Sequence, residues 1–157
     1  MKFSINWLNS YLEKPLSAKK AAEVLEKSGL EIEGVSESSQ LDNKIVVAEV
    51  LEVKEHPGAD KLKLAHVSTG RKKAWVVCGA PNVSEGMKAV LAQVGALLPD
   101  GTVISEAEIR GVKSSGMLCS ARELGWGDDH TGLVELEDNL TAGEPISQVM
   151  PHDTVID

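Results

Sequence analysis

The sequence predicts a mainly β protein with some α, a small antiparallel barrel preceded by a short helix-and-strand segment. Three observations point there. The first forty residues carry a capped helical stripe, a polar stretch without periodicity follows at Ser36 to Asn43, and beyond it short strand-like runs recur between glycine and proline turns. The expected organisation is an N-terminal helix-strand segment over 1–39 and a barrel over 40–150.

Taken in order, a short helix around Asn6 to Leu12 carries Trp7, Leu8, Tyr11 and Leu12. Ser17 suits an N-cap, Leu16 and Ala21 stand at the two staple positions, and Ala21, Leu25 and Ser28 follow a helical stripe with Lys27 in the last turn. Gly29 ends that helix, and Leu30 is placed to pack back on Leu25 as in a Schellman ending. Leu30-Glu31-Ile32-Glu33 alternates apolar and charged side chains, which predicts a strand with one wet face. After the linker, strands are expected at Lys44 to Val53, Lys61 to Thr69, Lys73 to Cys78, Met87 to Val94, Val103 to Ile109 and Gly132 to Leu136. Within Lys61 to Thr69 the apolar parity switches from Leu62 and Leu64 to Val67, predicting a bulge that bends the strand. Five or six strands in about 100 residues fit an oligonucleotide/oligosaccharide-binding (OB) barrel.

Composition narrows the function. With 157 residues, 42% hydrophobic and 3% aromatic, the chain falls among ordinary globular sequences, and one domain with a small appendage is the expectation. Apolar stretches such as Ile45 to Val47 and Ala89 to Ala92 are far short of the roughly 18 residues of a membrane helix. Met1 to Asn6 lacks the features of a secretory signal, so a cytoplasmic location with reduced Cys78 and Cys119 is expected. No phosphate-cradling Gly-x-x-x-x-Gly-Lys string occurs, and no dinucleotide fingerprint. Ser17-Ala18-Lys19-Lys20 matches an acyl-transferase nucleophile motif, but Ser17 already serves as a cap and no companion motif is present. His56, His66, His130, His152 and the cysteines lack metal-ligand spacing, so no metal site is expected; His56, before Pro57, suits a turn where it bonds backbone groups. A catalytically inert chain is the expectation.

A net charge of −8 opposes bulk electrostatic binding of nucleic acid, yet Lys54 to Lys88 carries +4 while Asp100 to Asp157 carries −9. Either a local phosphate-binding face or plain solvated surface accounts for that. Only Trp75 and Trp126 could stack bases in the barrel region, which disfavours stacking on a long single strand; any RNA that is bound should be held by backbone contacts and shape. The densest string runs from Ile109 to Gly125, IRGVKSSGMLCSARELG. Ser120 and Glu123 form a capping-box pair that predicts one helical turn closed by Gly125. The preceding loop offers hydroxyls, amides and cations to a phosphate, or is a tight connector in which Ser114 and Ser115 satisfy their own turn.

That string, with HPGADKLKLAHV and VVCGAPNV, resembles the tRNA-binding OB domain near the N-terminus of the bacterial phenylalanyl-tRNA synthetase beta subunit. KFSINWL and SGLEIEGV are similar to the piece that precedes that domain, so the resemblance covers essentially the whole chain. It implies a truncated N-terminal fragment in which 151–157 is the start of the next segment, with the aminoacylation site on the alpha subunit and the editing site in a later beta-subunit domain. ATP and Mg belong to the whole synthetase, and no cofactor is implied for this fragment. The implied partners are tRNA, the alpha subunit and the remaining beta-subunit domains, with no DNA and no membrane. The implied RNA-binding residues are Lys61, Arg110, Ser114 and Met117. Lys113 stands where relatives commonly carry an acid or polar residue, and Arg110 has Glu106 and Glu108 as alternative partners. Asn82 reads as a turn residue tolerating left-handed φ rather than a contact. The rival readings are an assembly scaffold that touches RNA little, favoured by the charge, and a freestanding tRNA-binding OB protein.

Overall fold

The computed structural model describes residues 3–37, 40–150 and 154–157. The chain divides into two compact units, one holding the N-terminal forty residues and the C-terminal strand, the other starting at Leu41. The first unit opens with β1 (Phe3–Ser4), α1 (Ile5–Asn9), α2 (Ala18–Lys27) and β2 (Val35–Glu37). As expected, the Ser17 hydroxyl accepts from Lys20 N–H at 3.3 Å, satisfying one of the orphan donors of α2. At the other end Gly29 adopts φ +88°, and its N–H and that of Leu30 reach the carbonyls of Glu26 and Leu25, a full Schellman ending. The first helix is shorter than expected because the Asn9 side chain leaves the helix to bond Leu16, donating to its carbonyl and accepting from its N–H. Leu30 to Glu33 is not a strand. Backbone pairing starts only at Glu33 and Gly34, whose N–H groups both reach the Asp157 carbonyl.

The second unit contains β3 (Ile45–Glu55), β4 (Lys63–Ser68), β5 (Lys73–Cys78), β6 (Lys88–Ala92), β7 (Ala107–Ile109), β8 (Val112–Ser114), β9 (Met117–Leu118), β10 (Glu135–Leu136) and α3 (Ile146–Val149). Antiparallel pairing runs β10-β6-β3-β4-β5, with β9 also on β6. The segment β8–β9 nearly closes the barrel: Ser115 N–H donates to the Trp75 carbonyl of β5, while Met117 and Leu118 pair with Ala92 and Leu91 of β6. Mostly β, with little helix, this is an OB-like barrel. Gly116 sits at the closure with φ +134°, where a Cβ would lie 3.0 Å from the Ala92 carbonyl oxygen.

The first half of β3 is buried on both faces, which explains its unbroken apolar run. Val46, Ala48 and Val50 point into the barrel with Ala65, Val67, Val76 and Leu91. Ile45 and Val47 turn the other way, into a second core with Val90, Cys119, Leu124 and Ile146 of α3. The bulge lies on β3, not on β4: the register slips between Val50 and Glu52, leaving Leu51 unpaired, while β4 alternates regularly with Ala65 and Val67 inward. Val103 to Ile109 is a strand only from Ala107, Val103 forming a lone bridge with Leu97.

Residues β11 (Thr154–Ile156), expected to lead away from the barrel, form the middle strand of the first unit's sheet, between β1 and β2. Phe3 and Val35 both stand opposite Ile156, which is fully buried with Ile5 and Ala21.

Candidate nucleic-acid interface

The loop between β3 and β4 carries Lys61, and the turn between β7 and β8 carries Arg110. One side chain joins them. His56 is 6% exposed; its Nδ1 accepts from Gly58 N–H and its Nε2 lies on the Ile109 carbonyl oxygen, both at 2.9 Å. An Nδ1 that accepts requires the ring proton on Nε2, so the imidazole donates to Ile109. Gly58 adds to the close fit, since a Cβ there would lie 3.3 Å from the Arg110 carbonyl oxygen. His56 thus bonds backbone groups, as its place before Pro57 suggested.

Arg110 and Gly111 form a two-residue hairpin with φ +52° and +84°, the signs of a type I′ turn. Among the described residues Arg110 is the only non-glycine with positive φ, at a position where Asn or Gly costs less. Its side chain is exposed and forms no ion pair among the described residues. Glu106 pairs instead with Lys113 at 3.0 Å and accepts from the Ser115 hydroxyl at 3.2 Å; the Lys113 bond holds its carboxyl below the usual range. Lys61 is likewise exposed and unpaired among the described residues.

Ser114 is placed differently from its expected role. It is 3% exposed; its Oγ accepts from Val77 N–H at 3.0 Å and donates to the Gly116 carbonyl at 3.1 Å. The hydroxyl clamps the closing segment onto β5. Met117, half-buried, borders a cleft of about 220 Å³ lined also by Val77, Leu118, Glu123, His130 and Thr131. The cleft reaches Gly79, where a Cβ would touch Leu62, the neighbour of Lys61, at 3.3 Å. Lys61, Arg110 and Met117 therefore gather towards the Cys78 end of β5, with Ser114 beneath.

The basic segment is not one patch. Lys63 stands opposite Cys78 and Ser68 opposite Lys73, so Arg71, Lys72 and Lys73 lie at the far end of the β4–β5 hairpin from Lys61, about 17 Å along the strands. Between the ends, the sheet's outer face carries a cross-strand stack that sequence reasoning missed: His66 on Trp75, centroids 4.5 Å apart and 11° from parallel, with Lys54 Nζ 5.1 Å over the indole. The signal was present in strand parity, which puts His66 and Trp75 on one face. Trp126 packs on the second core, so both barrel tryptophans are engaged within the protein.

Asn82 does not adopt left-handed φ. Its side chain donates to the Leu133 carbonyl and accepts from its N–H, mimicking a strand partner. Ser120 N–H donates to the Glu123 carboxylate at 2.7 Å and its hydroxyl donates to the same oxygen, but the segment after it forms turns rather than a helix. Cys78 and Cys119 are free and buried; burial raises both thiols, that of Cys119 to about 12. Among the described residues no cluster of three His, Cys, Asp or Glu could hold a metal ion, and no helix is long and apolar enough to cross a membrane.

A nearly closed antiparallel barrel with two unpaired cations and a cleft at one end of a hairpin defines an OB-type barrel with a phosphate-compatible loop end. Residues 45–145 match the family described as "Putative tRNA binding domain", and the chain belongs to that family. It is 42% identical over 158 residues to the phenylalanine–tRNA ligase beta subunit of Rhodospirillum rubrum, covering 100% of this chain and 20% of that protein. To the same subunit of Aromatoleum aromaticum it is 43% identical over 157 residues, covering 99% and 20%. The chain thus spans about one fifth of the length of these curated relatives. Among solved structures, a MetRS related protein from Pyrococcus horikoshii has a TM-score of 0.49 at 18% identity, covering 64% of this chain and 86% of that one.

Proposed function

We propose that this chain is the tRNA-binding module of a phenylalanine–tRNA ligase beta subunit, in which Lys61 and Arg110 hold tRNA phosphates and Met117 makes an apolar contact. The observation that carries the reading is Arg110: an unpaired cation kept exposed at positive φ, joined through His56 to the loop of Lys61. Strain retained without a structural partner is a mark of function. Ser114 serves the face from below, fixing the segment that presents Met117. The module performs no aminoacylation itself; the alpha subunit, the remaining beta-subunit domains, and ATP with Mg belong to the whole cytoplasmic enzyme.

The test is a tRNA titration at several salt concentrations. Weak binding, of roughly 10⁻⁶ to 10⁻⁴ M, is expected with an overall charge of −8. Lys61→Ala and Arg110→Asn should each weaken it and lower the salt slope by roughly 1. Asn suits the turn, so the second variant should fold at least as stably as the parent. Arg71→Ala, at the other end of the hairpin, should leave the slope unchanged. Unchanged affinity and slope in the first two variants would refute the face and leave the scaffold reading in its place.

A further inference from the structure

The cleft beside Met117 is lined in part by Val77, Met117 and Leu118, and over more of its surface by polar groups, with Glu123, His130 and Thr131 among the lining residues. Its volume, about 220 Å³, is below the roughly 300–1,000 Å³ of sites that take drug-sized ligands, so it suits one ring system. The Glu123 carboxylate is held in place: one oxygen, Oε2, accepts both Ser120 donors, and Oε1 bonds no partner among the described residues. At the rim the His130 Nδ1 is turned to the Asp128 carbonyl at 3.3 Å. One lining residue, Gly79, lies against Leu62, the neighbour of Lys61.

From this we infer that the cleft receives a single unpaired nucleobase of the bound RNA, a guanine, whose ring N–H and exocyclic amino group face Glu123. The inference rests on the tRNA-binding reading and adds to it a base-specific subsite. A base turned out of its stack is ordinarily gripped on its faces by apolar side chains and read along its Watson–Crick edge by hydrogen bonds. Here Val77 and Met117 offer the first, and the Glu123 carboxylate, fixed by Ser120, offers the second. An anionic acceptor selects for donors on that edge, which guanine has in both ring and amino positions. Unpaired bases in loops are the usual targets of sequence-specific RNA recognition, and a phosphate held at Lys61 would bring its own base to this wall.

The experiment titrates the whole chain with guanosine 5′-monophosphate and, separately, inosine 5′-monophosphate, which lacks only the amino group, following backbone amide shifts by NMR. Guanosine monophosphate should shift Gly79, Gly132 and Leu133, and inosine monophosphate should bind about tenfold more weakly. Glu123→Gln keeps a side-chain oxygen that accepts from Ser120, so the turn should hold, and it should abolish the preference between the two nucleotides. In that variant the salt slope for tRNA should stay the same, because no cation is lost. Shifts elsewhere only, equal binding of the two nucleotides, or a preference that survives Glu123→Gln would each overturn the inference. The Lys61 and Arg110 titrations test the parent reading separately, since they report phosphate contacts and not base choice.

Discussion

His56 is a side chain whose removal should loosen the loops of Lys61 and Arg110 from each other while leaving both cations in place. His56→Ala deletes two hydrogen bonds, to Gly58 N–H and to the Ile109 carbonyl, from a side chain only 6% exposed. Each bond contributes about 1 kcal/mol net, and backbone groups left short of partners add to the loss, so the barrel should lose about 2–3 kcal/mol. Two conservative variants divide that figure. Asn can accept from the N–H two residues on, restoring the Gly58 bond but not the reach to Ile109; Gln can restore the donor to Ile109 but not the local turn. Each should recover about 1 kcal/mol. Urea unfolding followed by tryptophan fluorescence measures this, and tRNA titration measures the consequence. Affinity should fall in His56→Ala while the salt slope stays constant, because Lys61 and Arg110 remain but are no longer held together. An alanine variant within about 0.5 kcal/mol of the parent, or Asn and Gln variants no better than Ala, would refute the assignment of His56 as the joint.

Gly116→Ala should destabilise the barrel by about 2–4 kcal/mol in urea melts, because φ is +134° and the new Cβ meets the Ala92 carbonyl and Leu91. Cys119, fully buried with its thiol pushed up to about 12, should resist iodoacetamide in the native protein and react only on unfolding, read by mass spectrometry. Asp42 accepts from the N–H of Lys44 and of Leu97, at 2.8 and 2.9 Å, and these bonds lower its carboxyl. A carboxyl lowered by folding stabilises above its unfolded value, about 3.9, and that contribution is lost as pH falls through the lowered one. Asp42→Asn should therefore reduce the urea midpoint at neutral pH and flatten its decline towards about pH 3.

What was legible in the sequence was what local rules decide. Ser17, Gly29 and Leu30 delimit α2 because caps and Schellman endings use neighbours within six residues. The long strands β3 to β6 were readable because their apolar runs exceed anything a loop tolerates. The failures are non-local. Thr154 to Ile156 became a middle strand by pairing with β1 and β2, more than a hundred positions away, so that Ile156 stands opposite both Phe3 and Val35. The closing strands β8 and β9 were hidden in a string of glycine, serine and lysine, since short strands whose bonds go to β5 and β6 need no β-branched run of their own. Leu51 shows the limit of parity: the slip seen in the β4 pattern belonged to its partner strand.

The site divides the same way. The candidate residues Lys61, Arg110, Ser114 and Met117 came from the resemblance to tRNA-binding OB domains, whose motifs fix residue type and position. Burial decides the rest, and sequence does not record it. Ser114 has the same hydroxyl whether it faces RNA or, as here, ties Val77 to Gly116. Lys113 and Glu106 cancel each other at 3.0 Å, so the free cation of that hairpin is Arg110 alone. Under the proposed reading, a chain of charge −8 meets RNA through two cations, Lys61 and Arg110, that form no ion pair among the described residues and whose loops His56 joins. Few contacts imply a shallow salt dependence, and that number separates the reading from a polybasic binder: a slope of roughly −2 fits these two cations, whereas a slope of roughly −4 to −5 would require Arg71, Lys72 and Lys73 as well.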